Sequence, residues 1–319
     1  MPLKNRNLLD LDDFGHNEIS LILDTTASMS EILNRPIPRV PTLRGLTIAN
    51  LFYEPSTRTR VSFEIAARSL GADVVNVAAS GSSVEKGESL VDTLRTVKAL
   101  GADMLVIRHQ EAGTPYLAAS TIDCPVINAG DGWHAHPSQA LLDLYTVRSR
   151  LGHLEGLKIV IVGDIMHSRV ARSNIWGFSR MGAHVTLCGP PQLLPQQIAQ
   201  FPDTDGSIHI EPNLDIAIEN ANVVMALRIQ KERMDRFQLP NLREYAKLYS
   251  VTEERLKRAH PDALVMHPGP LNQGVEISSS IAYSDSSVIE EQVTNGVATR
   301  MASMYLLTAG SENASDNVE

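Results

Sequence analysis

Short apolar runs alternate with longer stretches in which apolar residues recur at helical spacing, and this alternation occurs twice along the chain. In the first series Leu46–Phe52 reads as a buried strand. Thr57–Leu70 follows as a helix with the apolar set Phe63, Ile65, Ala66 and Leu70, then Val74–Val77 as a strand and Glu88–Leu100 as a helix. Met104–Ile107 and Val126–Asn128 add two strands, and a helix from Pro137 to about Arg150 carries the stripe Leu141, Leu142, Leu144 and Tyr145. The second series begins at Leu157. It holds a strand at Lys158–Val162, a helix at His167–Met181, and strands at His184–Leu187, Val223–Leu227 and Leu264–Met266. Gln292–Leu307 closes it as an amphipathic helix, ahead of a polar, frayed tail at Ser311–Glu319.

Strands separated by helices predict parallel pairing, because a parallel neighbour is reached only through a crossover. Two such series predict an α/β protein of two domains, each a parallel sheet flanked by helices. The boundary falls within the Pro137–Arg150 helix, the one predicted element between them. No repeat of 20–50 residues and no low-complexity tract is visible, which argues against a solenoid.

Composition adds exclusions. The chain has 319 residues, enough for two ordinary domains, and 43% hydrophobic with 20% charged residues, which is unlike a disordered chain. No stretch approaches the ~18 apolar residues of a membrane helix. The segment Met1–Phe14 lacks the apolar core of a secretory signal, and Cys124 and Cys188 cannot build a disulfide framework, so a cytoplasmic location is expected. A net charge of −9 argues against nucleic acid as a partner. Yet Arg58, Arg60, Arg108, Arg169 and Arg228 lie at or near the ends of apolar runs. Such arginines fit a small anionic ligand, although solvated surface positions would explain each one singly.

The most informative segment is Asn50-Leu-Phe-Tyr-Glu-Pro-Ser-Thr-Arg-Thr-Arg60. A strand ends, Pro55 interrupts, and Ser56 stands where a helix N-cap belongs. Free amides and the positive end of the helix dipole bind phosphate, with Ser56, Thr57 and Thr59 adding hydroxyls and Arg58 a bidentate fork. A plain capped helix with surface arginines accounts for the same residues. No Walker-type loop is present. His136, just before a helix, reads equally as a capping or solvated histidine. His134 and His136, lacking acidic or cysteine partners, make a poor zinc pair. Ala79–Gly87 has the composition of a mobile polar loop.

Together these segments resemble the aspartate and ornithine carbamoyltransferase family over nearly the whole chain, from about Leu46 to Leu307. The motifs arrive in order: Ser56-Thr-Arg-Thr-Arg60, Lys86-Gly-Glu88, Arg108-His109, His136-Pro-Ser-Gln139, Gly163-Asp-Ile-Met-His-Ser-Arg169, Arg228-Ile-Gln230 and His267-Pro-Gly-Pro270. The resemblance implies a carbamoyl phosphate-binding domain at residues 1–143, onto which a C-terminal helix (292–310) packs back, and an aspartate-binding domain at 144–291. It implies that Ser56, Thr57, Arg58 and Thr59 hold the phosphate. Arg108, His136 and Thr59 would face the carbamoyl oxygen, with Arg58 also placed among the catalytic groups. Gln139 and the backbone around Pro268, Gly269 and Pro270 would bind the carbamoyl amide. Arg169, Arg228 and Gln230 would bind L-aspartate. Ser82 and Lys86 would reach a neighbouring subunit's site and touch both substrates there, with Lys86 among the aspartate-binding residues.

The implied reaction moves the carbamoyl group of carbamoyl phosphate to the amino group of L-aspartate, an early step of pyrimidine (UMP) biosynthesis. It requires no cofactor and no metal. The implied assembly is a homotrimer, alone or within a dodecamer with regulatory chains or another pathway enzyme, with no membrane or nucleic acid partner. Phe52-Tyr-Glu-Pro is similar to the aspartate branch, and His267-Pro-Gly-Pro270 lacks the cysteine of the ornithine branch. Arginines suit a second carboxylate better than a side-chain ammonium. Gly269 departs from the leucine of some members, which would loosen the loop. The alternatives are an ornithine or other amino-acid carbamoyltransferase, and a non-catalytic protein that captures phosphometabolites.

Overall fold

The computed structural model of the chain describes residues 3–78, 88–200, 205–229 and 242–315. The chain divides into two compact units: one runs to Leu142 and resumes at Thr294, and the other is Asp143–Val293.

In the first unit the order is α1 (His16–Leu33), β1 (Thr47–Phe52), α2 (Thr57–Ser69), β2 (Asp73–Ala78), α3 (Leu90–Ala99), β3 (Met104–His109), α4 (Thr114–Thr121) and β4 (Val126–Asp131), followed by α5 (Pro137–Leu151). These strands pair in parallel in the order β2-β1-β3-β4. The strand order therefore reverses between β1 and β3. Leu51, Leu105, Ile107 and Val126 pack with Leu94 of α3 and Ala118 of α4 in one core.

Two sequence expectations need correction here. Ile65 is exposed, whereas Phe63, Ala66, Ala67 and Leu70 are buried, so the core face of α2 keeps the i, i+3, i+4, i+7 spacing. The other is an omission: α4 was not expected, and neither was α1. Its middle reads Asp24-Thr-Thr-Ala-Ser, a polar and β-branched run. The Thr25 and Thr26 hydroxyls donate to the carbonyls of Leu21 and Ile22 within the helix, and Ile19, Ile22, Leu23 and Met29 are buried.

The second unit contains β5 (Lys158–Val162), α6 (Arg169–Arg180), β6 (His184–Cys188), β7 (Ser207–Ile210), α7 (Leu214–Ala217), β8 (Val223–Ala226), α8 (Leu242–Tyr249), α9 (Glu253–Leu256), β9 (Leu264–Met266) and α10 (Ser279–Ala282). Its sheet is also parallel, in the order β7-β6-β5-β8-β9, with the reversal between β5 and β8. The short edge strand β7 is half-exposed and shows none of the apolar run that marks β5.

The last helix, α11 (Ile289–Ser315), extends through residues expected to belong to a frayed tail. From Thr294 on it belongs to the first unit. There the Arg300 guanidinium lies 4.8 Å from the centroid of the Phe63 ring and donates to Ser62 Oγ at 2.7 Å, so the helix packs on α2. Phe63 is fully buried, which contributes roughly 2–3 kcal/mol. Earlier in α11, Gln292 donates to Asp143 Oδ1 at 2.7 Å inside the second unit. Among the described residues no helix is long and apolar enough to cross a membrane.

Candidate active site

In the first unit the expected phosphate and carbonyl groups lie at or after the carboxyl ends of three adjacent strands, β1, β3 and β4. That is where α/β folds bind ligands, at the reversal of strand order. The loop after β1 leads into α2 through Ser56, which occupies the N-cap position but makes no side-chain cap. Its hydroxyl instead donates to Thr59 Oγ1 at 3.0 Å. The expected serine cap is thus replaced by a hydroxyl pair, and the first turn of α2 is left uncapped by that side chain. Thr57 and Arg58 are exposed at this helix start, whereas Thr59 is buried.

Arg108, near the end of β3, is buried. Its Nη2 donates to Glu54 Oε1 at 2.6 Å and its Nη1 to the Ala129 carbonyl at 3.0 Å. The two bonds fix the guanidinium between the β1 loop and β4. Next to it, His109 Nδ1 accepts from the Glu111 amide, and burial lowers the pKa of this imidazole against the pull of Glu111, Glu54 and Asp131.

After β4 the chain turns through Gly132, whose φ of +43° suits glycine. A Cβ there would stand 2.9 Å from the Ala112 amide nitrogen. The Asp131 carboxylate, fully buried, holds this turn. It accepts from Asn128 Nδ2 at 2.8 Å, the Gly113 amide at 2.7 Å, the Ala135 amide at 3.1 Å and His134 Nδ1 at 3.1 Å. Burial pushes this carboxyl up, but the bonds from His134, Asn128 and Gly113 prevail and hold it below the ordinary range. His136 then precedes α5 and is buried; its carbonyl accepts the Gln139 and Ala140 amides, and its Nδ1 lies 3.5 Å from Ser138 Oγ. Gln139 is half-buried in this first turn.

The second unit repeats the pattern after β5, β8 and β9, which are also adjacent. Arg169 opens α6 and is buried, behind Ser168, whose hydroxyl accepts the Ala171 amide. The loop before it is fixed by Asp164 and His167, both buried, with Nδ1 2.9 Å from Oδ1. Arg228 follows β8 and is half-buried. Past β9, Gly269 lies at φ +64° and donates its amide to His267 Nδ1. The left-handed backbone at Gly269 is open to glycine and strained for a leucine.

One buried carboxylate links these last two loops. Glu276 accepts the Ile229 amide through Oε1 at 3.0 Å and the Asn272 amide through Oε2 at 2.9 Å. Behind them Asp143 accepts from Asn174 of α6 and from Gln292, whose Oε1 accepts the His267 amide.

Of the expected site residues, Ser56, Thr57, Arg58, Thr59, Arg108, His136 and Gln139 fall in the first unit, and Arg169, Arg228, Gly269 and Pro270 in the second. Ser82, Lys86 and Gln230 lie outside the described residues. The carboxylates Glu54, Asp131, Asp164 and Glu276 were given no role from the sequence. Glu54 and Asp164 lie inside the quoted motifs, and Asp131 stands between Gly130 and Gly132, a turn-like sequence. Among the described residues no group of three His, Cys, Asp or Glu side chains could hold a metal ion.

Comparison with known proteins places both units. A family model described as aspartate/ornithine carbamoyltransferase, carbamoyl-P binding domain, matches residues 6–149, and the corresponding Asp/Orn binding domain matches 155–307. A Roseiflexus protein described as aspartate carbamoyltransferase catalytic subunit is 62% identical over 308 residues, 96% of each chain. The aspartate transcarbamoylase of Trypanosoma cruzi, solved with carbamoyl aspartate and phosphate, is 30% identical with a TM-score of 0.86, covering 95% of this chain and 96% of that one. An ornithine carbamoyltransferase from Pyrococcus furiosus is 28% identical with a TM-score of 0.87, covering 97% and 99%. Both substrate branches therefore share this backbone. With its two matched domains, its ordered motifs and a 62% relative of equal length, the chain belongs to the aspartate/ornithine carbamoyltransferase family.

Proposed function

We propose that the protein transfers the carbamoyl group of carbamoyl phosphate to L-aspartate, giving N-carbamoyl-L-aspartate and phosphate. The observation that carries this reading is the convergence of Ser56–Thr59, Arg108, His136 and Gln139 after adjacent strands at the reversal of strand order. The choice of aspartate rests on Phe52-Tyr-Glu-Pro, on Arg169 and Arg228 after adjacent strands of the second unit, and on the 62% relative.

The phosphate dianion sits at the start of α2, with the Thr57 and Ser56 hydroxyls, the Arg58 fork and Thr59 around it. Gln139 and the backbone of Pro268–Pro270 orient the carbamoyl amide. The aspartate carboxylates bind Arg169, Arg228 and Gln230. The amine attacks the carbonyl carbon, a C–N bond forms, and charge gathers on the carbonyl oxygen facing Arg108, His136 and Thr59. Such preset donors are each worth about 10²–10³ in rate. The C–O bond to phosphate then breaks, and the departing phosphate takes the amine proton.

The first unit serves as the carbamoyl phosphate domain and the second as the aspartate domain, with the division at Asp143 and Thr294 rather than at residues 144 and 292. The protein works in the cytoplasm, in pyrimidine biosynthesis, as a homotrimer, alone or with regulatory chains or another pathway enzyme. Val61 and Ile65, four residues apart on α2, are exposed apolar residues that support a subunit interface on that helix face. The loop with Ser82 and Lys86 serves the neighbour's site. The deciding assay supplies carbamoyl phosphate with aspartate or with ornithine. Carbamoyl aspartate and phosphate should appear in equal amounts, with kcat/KM for ornithine at least a hundredfold lower. Preference for ornithine, or binding without turnover, overturns the reading.

A further inference from the structure

We propose that Asp131 is a positioning residue that sets the His136 imidazole against the Arg108 guanidinium, with His134 as the partner that keeps its carboxylate in place. The inference rests on the reading that His136 and Arg108 face one carbamoyl oxygen. Arg108 is tied to β4 through the Ala129 carbonyl, two residues before Asp131. Asp131 closes the other side. Its amide donates to the Ala135 carbonyl at 3.1 Å, and its Oδ1 accepts the Ala135 amide at 3.1 Å, so the residue preceding His136 is pinned in both directions.

The same carboxylate reaches the start of α4 through the Gly113 amide, and β4 itself through Asn128. His134 supplies the remaining donor from Nδ1, and its ring packs edge-on against Tyr116 at 5.8 Å between centroids. The β3–β4 pairing loses regular register between Ile107 and His109, the stretch that holds Arg108. Pairing resumes one residue later, at His109 with Asp131 itself, so the backbone brings Arg108 to the turn and the carboxylate hub with its four donors carries that position on to the residue before His136.

An asparagine at this position would turn an NH₂ toward amides that already donate, so the hub cannot re-form around it. The test measures kcat, both KM values and the Kd of inorganic phosphate for Asp131→Asn, His134→Ala, His134→Asn and His136→Ala. For Asp131→Asn we expect kcat at least fivefold below the parent and a phosphate Kd within twofold. A smaller fall in kcat, or a loss of phosphate binding as large as the loss of kcat, overturns the proposal. Should Asp131→Asn not fold, the His134 pair decides. Alanine should lower kcat at least threefold, and asparagine, whose amide can stand in for Nδ1–H, should restore at least half of that loss; equal values for the two overturn it. His136→Ala separates the levels. If it keeps parental kcat, the reading of His136 fails and the proposal with it. If it is inactive while the Asp131 and His134 variants match the parent, only the positioning role falls.

Discussion

Arg108 and Glu54 meet across the reversal between β1 and β3, with Nη2 2.6 Å from Oε1 and both side chains largely shielded from water. The pair presets the guanidinium while the Ala129 carbonyl fixes its other arm. Arg108→Ala should therefore do two things. It should lower kcat roughly 10²–10³-fold, the usual effect of losing one oxyanion donor. It should also break the ion pair with Glu54, at a cost of up to about 3 kcal/mol. Steady-state kinetics and urea unfolding check the two effects separately. A kcat within twofold of the parent would remove Arg108 from the site.

Arg228→Ala should act on one substrate. The guanidinium follows β8 in the second unit, and the contact it would lose is to a carboxylate. We expect the KM for aspartate to rise at least tenfold and that for carbamoyl phosphate less than threefold. Initial rates with each substrate varied in turn give both numbers, and equal rises would contradict the assignment.

Stability should depend on pH through His134. The hydrogen bond to Asp131 raises the pKa of this imidazole, burial opposes, and the charges of Asp131, Asp10 and Asp12 raise it further. A histidine pKa raised by folding stabilises the protein fully below the unfolded value near 6.5, and that contribution fades as pH rises through the folded value. The Tm gap between the parent and His134→Ala should be largest at and below about pH 6 and shrink toward pH 9. A gap that grows with pH would reverse the sign and refute this account.

A shared site can be tested by mixing inactive chains. Arg58→Ala and Lys86→Ala should each be nearly inactive alone, and Arg58→Ala should keep the parental Tm because Arg58 is exposed. If Lys86 serves the neighbour's pocket, random trimers made from equal amounts should regain roughly a quarter of parental activity, since about three quarters of them hold one intact pocket of three. Mass spectrometry confirms that mixed trimers formed. Mixed trimers without activity would place Lys86 in its own subunit's pocket.

The strands were legible because β1, β3, β5, β8 and β9 are short apolar runs, and parallel strands buried on both faces must be. The motif residues at their ends were legible as well. What escaped was of two kinds. In α1 the polar middle hid a helix whose hydroxyls bond back to their own turn, and in β7 an edge position removed the apolar pattern. The carboxylates escaped for another reason. Glu54 finds Arg108 54 positions away, Asp131 finds Gly113 18 away and Glu276 finds Ile229 47 away. A single acidic residue carries no local periodicity, so its role exists only once the sheet has brought the loops together.

The hydrogen bond from Gln292 to Asp143 has a topological meaning. The chain passes from the first unit to the second within α5, between Leu142 and Asp143, and returns within α11, between Val293 and Thr294. The residues joined at 2.7 Å stand at these two crossings. The second unit is thus an insertion whose two ends are clasped together, spliced into a host fold that begins and ends elsewhere. A segment with adjoining ends can be lifted out or circularly permuted without stretching the backbone on either side of the cut. Residues 143–293 are accordingly the piece of this enzyme best suited to be exchanged as a block between relatives, carrying Arg169, Arg228 and the Pro268–Pro270 loop with it.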